Sequence, residues 1–584
     1  MNLSEFLSKV DIILSTMSQK ELADFIHDMA RILPDEKRTV FLNRLNRVNK
    51  IESRYEAASY DNDAGILEKY EKIKEGLRQI ENGDLCLTGS LNYEYDDWYH
   101  SEADEFLFED PDGVLPLIEN AFQFVHECAE CGEFQYGSEI AMLLRELQIV
   151  VEGEYQEYMD EPLEIGDLGY YHLCTLNEKQ LTIDAVYMAY YLHPLPDRAD
   201  AMYQIIVNAD QPDITLEAVM QEGDELPDFP EFLETWIEYL GEISSKIAEK
   251  LLKEALALTN NQETLLENAR KYCALHPALY EQYILGNMQK KDDMELFGIG
   301  REALQAIEQK YVVRSRIALL MGMMAFRQGM QDEAEKCLLE AFRSDTSIVN
   351  YMHLIMECKD FSVFADEIRT ISHDGTLLAK NSSSYYNSDG ELKENLISET
   401  TADMLAFFCG EFQHVREHAM NVNKALGWSA TFMKCGIAAF LLFLLEDDSM
   451  PEGCREMCCT ISGAVGFSSS TYKRGARKAV DDNDYQLFWT CFQRWKRTVS
   501  MSENDKEEYL QWIESLISKR VEGIMKENRR NYYDECAGYV AALGEVYESR
   551  GEAGGKQRLL LDYKSKYSRR TAFHRELRAF GMKG

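Results

Sequence analysis

Apolar residues recur along most of this chain at spacings of three and four, the period of a helix with one buried face. In "QKELADFIHDMARIL" the positions Leu22, Phe25, Ile26, Met29 and Leu33 fall on one side, and Ser18 with Glu21 supplies a capping box at the start. Pro34 ends that helix, since it cannot donate to the ladder, and "DEKRTVFLNRLNRV" follows as an antiparallel partner. The run "CGIAAFLLFLL", Cys435 to Leu445, is apolar on every side, the pattern of a helix enclosed by others. It is too short to span a bilayer and is closed by Glu446. With only 11 prolines and 34 glycines in 584 residues, long helices are the expected currency of the fold.

Within this pattern, phrases repeat. "CGEFQYGSEIAM" starts at Cys131 and "CGEFQHVREHAM" at Cys409, identical at eight of twelve positions. "AEKLLKEAL" from Ala248 returns as "AEKCLLEAF" from Ala334, 86 residues later. Extended backward, the second phrase sets Gly322, Gly329, Ala334, Leu338 and Ala341 at offsets 0, 7, 12, 16 and 19. This spacing resembles the tetratricopeptide repeat, in which small residues sit at a close helix crossing and a glycine turns helix A into helix B. The resemblance places Gly132 and Gly410 in the turn slot of Gly329, with Phe134 and Phe412 opening helix B. "LGEVYESRG" sets Leu543, Gly544, Tyr547 and Gly551 in the same register, with Lys556 where a small residue is usual. About half of the chain is covered, in imperfect copies. The closing "YSRRTAFHRELRAFG" faintly resembles helical tails attached to SWIM-type zinc fingers, but the C-x-C and C-x-H pairs of such a finger do not occur.

The resemblance implies an all-α fold, an α-solenoid of irregular helical hairpins. Residues 1–84 read as N-terminal hairpins and 85–180 as an acidic helical segment with one repeat-like hairpin. Residues 181–371 read as a helical-repeat core, 372–398 as a polar linker, and 399–584 as a C-terminal repeat region with a basic tail. Family members that hold C-terminal carboxylates use Lys and Asn on the inner face of helix A. The matching positions here are Leu319, Leu320 and Met323 in one repeat, and Ala541, Ala542 and Glu545 in another. Neither set can clamp a carboxylate.

Charge narrows the partners. The net charge of −41 disfavours broad contact with nucleic acid or an anionic membrane, which need Lys/Arg surfaces. Residues 81–170 concentrate the effect, with 24 acidic side chains and one basic one, Arg145. A one-signed strip of this kind is either a solvated face or a docking surface for a basic protein or peptide. The candidate contact residues are Glu94, Asp96, Asp97, Glu102, Asp104, Glu105, Glu109 and Asp110. The start, "MNLSEFLSKVDIILS", carries Glu5 and Asp11 and lacks a signal-peptide pattern. Fourteen cysteines without short-domain spacing read as reduced thiols, so a cytoplasmic protein is expected.

Candidate chemistry is thin. "HVREH" matches H-x-x-E-H, in which His414 and His418 would bind zinc and Glu417 would act as base. A zinc hydrolase is therefore the alternative reading. It lacks the downstream glutamate ligand, because none occurs between Glu456 and Glu503. "HECAEC" offers His126, Cys128 and Cys131 without a second cysteine pair, and "CREMCC" has the wrong spacing for a zinc ribbon. "FEDPDGVLPLIE" approaches a calcium loop through Asp110, Asp112, Gly113 and Glu119, but Phe108 stands at its first position and Pro116 lies inside it. "SSSTYKRGARK" is a basic patch beside hydroxyls. No phosphate loop, nucleophile elbow or kinase signature occurs. The sequence thus predicts a non-enzymatic interaction scaffold, with no cofactor and no bound metal.

Overall fold

The computed structural model describes residues 17–18, 20, 22, 25–26, 29–30, 60–92, 102–159, 161–209, 213–222, 226–377, 392–420, 426–428, 432–473 and 483–583. They are mostly helical. The chain forms two compact units, residues 1–264 and 265–584. The polar stretch at 372–398, expected as a linker, falls inside the second unit. Its far end is bonded back there: Val312 N–H donates to the Lys393 carbonyl at 2.9 Å, and Thr346 N–H to the Asn395 side chain at 2.9 Å.

In the first unit, α1 (Tyr60–Glu81) packs on the hairpin of α2 (Val114–Cys131) and α3 (Phe134–Glu146), and α4 (Glu178–Leu192) closes the group. A short helix, α5 (Leu216–Met220), lies against α4. The helical expectation holds, with a few short strands added to it. The acidic segment contains a three-stranded sheet in the order β2–β1–β3, built from β1 (Leu87–Leu91), β2 (Phe106–Glu109) and β3 (Val151–Gly153). Each strand is too short to show a period of two, and the partners lie far apart in sequence, so alternation could not announce them. The "DPDG" turn serves this region structurally. Asp110 accepts from the N–H groups of Val114 and Leu115 at the start of α2, at 2.8 and 2.9 Å, and Asp112 accepts from Cys86 N–H at 3.2 Å. The described residues of the first predicted helix are helical, yet Phe25, Ile26 and Met29 are exposed. Leu33, Pro34 and the second predicted helix lie outside the described residues.

The second unit contains the hairpins α6 (Val313–Arg327) with α7 (Gln331–Ser344), and α9 (Glu399–Phe408) with α10 (Phe412–Met420); α8 (Ile348–Glu357) lies between them in sequence. Gly322 faces α7, where an added Cβ would meet Cys337 Cβ and Leu338 Cδ2 at 3.6 Å, the close crossing that small residues permit. Downstream come α11 (Phe432–Leu444), α12 (Glu452–Ala464), α13 (Asp484–Lys496), α14 (Glu503–Lys526), α15 (Tyr533–Ser549), α16 (Gly555–Lys566) and α17 (Thr571–Ala579). Every residue of α11 but one is buried, as its all-round apolar pattern requires. The positions expected to line an inner groove are enclosed as well, except Met323, which is half-buried. Leu319 and Leu320 are buried in α6, and Ala541, Ala542 and Glu545 in α15, which is packed by α11, α12, α14, α16 and α17. The Glu545 carboxylate accepts from Gly453 N–H at 3.0 Å and Cys454 N–H at 2.8 Å, capping α12, and pairs with Lys556 at 2.7 Å.

Candidate functional site

The small sheet sorts its residues by face. Leu87, Gly89, Phe106 and Val151 turn inward, where the Tyr155 ring packs 4.9 Å from Phe106 and 5.5 Å from Phe108. The outward row reads Glu109, Thr88, Glu152 across three strands, because Thr88 pairs with both. Leu107, two residues before Glu109 and on the same face, is 53% exposed. Two like charges thus lie about 10 Å apart, two strand spacings, with the exposed leucine beside Glu109.

Glu105, Glu109, Glu119, Glu146 and Glu152 are exposed and make no ion pair among the described residues. Arg145, the one base of the strip, is turned to the Ile205 carbonyl, and burial holds its pKa below the ordinary arginine value. Asp104 is half-buried and Asp110 is spent on the helix cap. Glu102 opens a short 3-10 turn, and Glu94, Asp96 and Asp97 lie outside the described residues.

"HVREH" lies on α10, with His414, Glu417 and His418 all on exposed positions. Their partners differ. His418 Nδ1 meets the buried Asp403 carboxylate of α9 at 2.8 and 3.0 Å, while Glu417 accepts from Gln413 at 2.8 Å. Among the described residues no set of three metal donors forms there. No disulfide joins any of the fourteen cysteines, and most are buried. Burial pushes the Cys128 and Cys337 thiols up to about 12 and Cys409 up to about 11, far from the thiolate form a nucleophile needs.

A different cluster does form. His126 of α2, Asp184 of α4 and Glu222, two residues beyond α5, bring their donor atoms within 4.8 Å of one another. His126 Nδ1 lies 3.1 Å from Asp184 Oδ2 and 3.4 Å from Glu222 Oε1. Gln180 Nε2 donates to Asp184 Oδ1 at 3.0 Å. The hydrogen bond to Asp184 holds the His126 imidazole up to about 9, against the opposing effect of burial. Burial raises Glu222 above the usual carboxylate value, and the neighbouring Asp184 adds to it. Sequence spacing misses this set because its members are 58 and 38 positions apart. The one available signal is Asp184 itself, a carboxylate inside the otherwise neutral run "LTIDAVYMAYY", ten residues of which are buried.

The second unit holds a cavity of about 380 Å³ between Tyr351, Phe361, Phe408 and Cys409, with Arg369 and Arg494 on its wall. Arg494 donates to the Cys358 carbonyl at 3.1 Å, and Arg369 lies 3.4 Å from Glu411. No protein-family model matches the chain, and no curated protein matches it.

Proposed function

We propose that this chain is a non-enzymatic interaction scaffold that engages a basic protein or peptide through the acidic face of its first unit. The observation that carries the reading is the outward row Glu109–Thr88–Glu152, two carboxylates without an ion pair among the described residues, with the exposed Leu107 next to Glu109 on the same face. Such a face steers a cationic partner by its field and holds it by burying the leucine. Tetratricopeptide-like hairpins, turned at Gly132, Gly329 and Gly410, form the supporting framework of the proposal, and a cytoplasmic location fits fourteen cysteines that form no disulfide.

The test begins with a partner captured by cross-linking in the native host and then measured by stopped flow. Glu109→Lys with Glu152→Lys should slow association about 10-fold or more at low salt, with dissociation changing less. Wild-type association should also fall steeply as salt rises, since exposed charges are screened beyond about 8 Å at physiological ionic strength. Reversal of Glu522 and Glu527 in the second unit serves as the control for net charge. Equal slowing by both pairs, or a rate indifferent to salt, would remove the sheet face from the binding reaction.

A further inference from the structure

Histidine and carboxylate donors from three separate stretches of the first unit converge on one point, independently of the acidic sheet face. We propose that His126, Asp184 and Glu222 form a binding site for one divalent transition-metal ion of the Zn²⁺ or Mn²⁺ class. Donor geometry is the first support. Donors 3.1 and 3.4 Å apart subtend about 95° and 108° at an ion about 2.1 Å from each, within the range of tetrahedral and octahedral coordination. His126 Nδ1 faces both carboxylates at once, and the three donor atoms lie within 4.8 Å of one another, so small side-chain shifts bring all three onto one ion.

Enclosure is the second support. The Asp184 side chain is 1% exposed and that of Glu222 13%, so the two carboxylates meet His126 where bulk water is largely excluded. Gln180 Nε2, bonded to Asp184 Oδ1 at 3.0 Å, is the outer partner that orients a ligating carboxylate. His126 is 42% exposed, so the ion has a path to solvent and room for water on that side. One imidazole with two carboxylates selects against Ca²⁺, which takes six to eight oxygens. The bound ion would tie α2, α4 and the Gln221–Glu222 turn together.

The full chain, stripped with chelator, is titrated calorimetrically with ZnCl₂, MnCl₂ and CaCl₂ in turn at physiological salt. We expect one Zn²⁺ or Mn²⁺ per chain, accompanied by a rise in Tm. Binding should weaken by about 100-fold in Asp184→Asn and in His126→Gln, and stay unchanged in His414→Gln with His418→Gln. Because His126 is half-exposed, His126→Gln keeps the test decisive if Asp184→Asn fails to fold. The proposal is overturned by absence of a stoichiometric site, by undiminished binding in His126→Gln, or by Ca²⁺ binding as tightly as Zn²⁺ and Mn²⁺.

Discussion

The two CGEFQ hairpins share a turn and little else. Gly132 and Gly410 have φ of +81° and +80°, and each is followed by a glutamate whose N–H closes the preceding helix, at 3.0 and 2.9 Å. Past the turn the copies diverge. Gly137 in the first sits so close to its neighbours that a Cβ would lie 2.5 Å from Met188 Sδ and 2.7 Å from Cys128 Cβ, whereas Val415 fills the same position in the second and is fully buried. Ile140 is buried in the first, while its counterpart His418 is half-exposed and bonded to Asp403. Phe134 stacks on Tyr191 at 4.7 Å, and Phe412 packs among Phe407, Phe440 and Phe443. The turn is thus a local device reused in two settings, and each setting chooses how near the helices approach.

Exchanging the diverged position gives the largest expected effect. Gly137→Val should cost about 3 kcal/mol, because Met188 and Cys128 must both give way, and Val415→Gly about 2–3 kcal/mol through a cavity and lost helix propensity. Urea unfolding measures both; a neutral Gly137→Val would mean that the first hairpin is no more tightly crossed than the second.

The units also treat a histidine differently, which pH reveals. His126 is held charged by its acids, but His353 of α8 is fully buried, stacked 4.2 Å from Tyr472, and meets no hydrogen-bond partner at either ring nitrogen among the described residues. Burial pushes its pKa down to about 3. The unfolded chain takes up this proton near pH 6.5 and the folded one does not, so its contribution is present above that pH and is lost as pH falls toward 3. Stability of the second unit should therefore drop by about 1.4 kcal/mol per pH unit below pH ~6.5 from this group. His353→Phe should flatten that slope in unfolding curves taken at successive pH values, and an unchanged slope would assign the acid sensitivity elsewhere.

Smaller effects sharpen the shared part. Gly132→Val and Gly410→Val should each cost about 1–2 kcal/mol, from backbone strain alone. An added Cβ meets nothing within 4 Å at Gly132, and only Val499 Cγ1 at 3.8 Å at Gly410. A marked inequality between them would show that the two turns are not equivalent. Last, His418→Ala should cost about 1 kcal/mol by leaving Asp403 without its partner, against about 3 kcal/mol for Ile140→Ala at the matching buried position. Comparable values would contradict the different burial of the two sites.

Much of the helical framework was legible because its signals are local. A left-handed turn needs glycine at that residue, so Gly132, Gly329 and Gly410 announced their hairpins. A helix buried all round must be apolar all round, as "CGIAAFLLFLL" is. The candidate sites were read only in part. Net charge marked the acidic strip, but which of its acids face solvent depends on the pairing of Thr88 with Glu109 and Glu152, two strand contacts that no periodicity encodes. Asp110 looked like surface and caps a helix; Glu545 looked like groove and is buried against Gly453, Cys454 and Lys556. His126 was visible only beside two cysteines, since its acids arrive from other helices. Backbone conformation and one-sided burial are properties of a few neighbouring residues, so the amino-acid sequence alone determined them. Strand partners, enclosure and the meeting of buried charges depend on residues dozens of positions apart, and only the tertiary structure decided those.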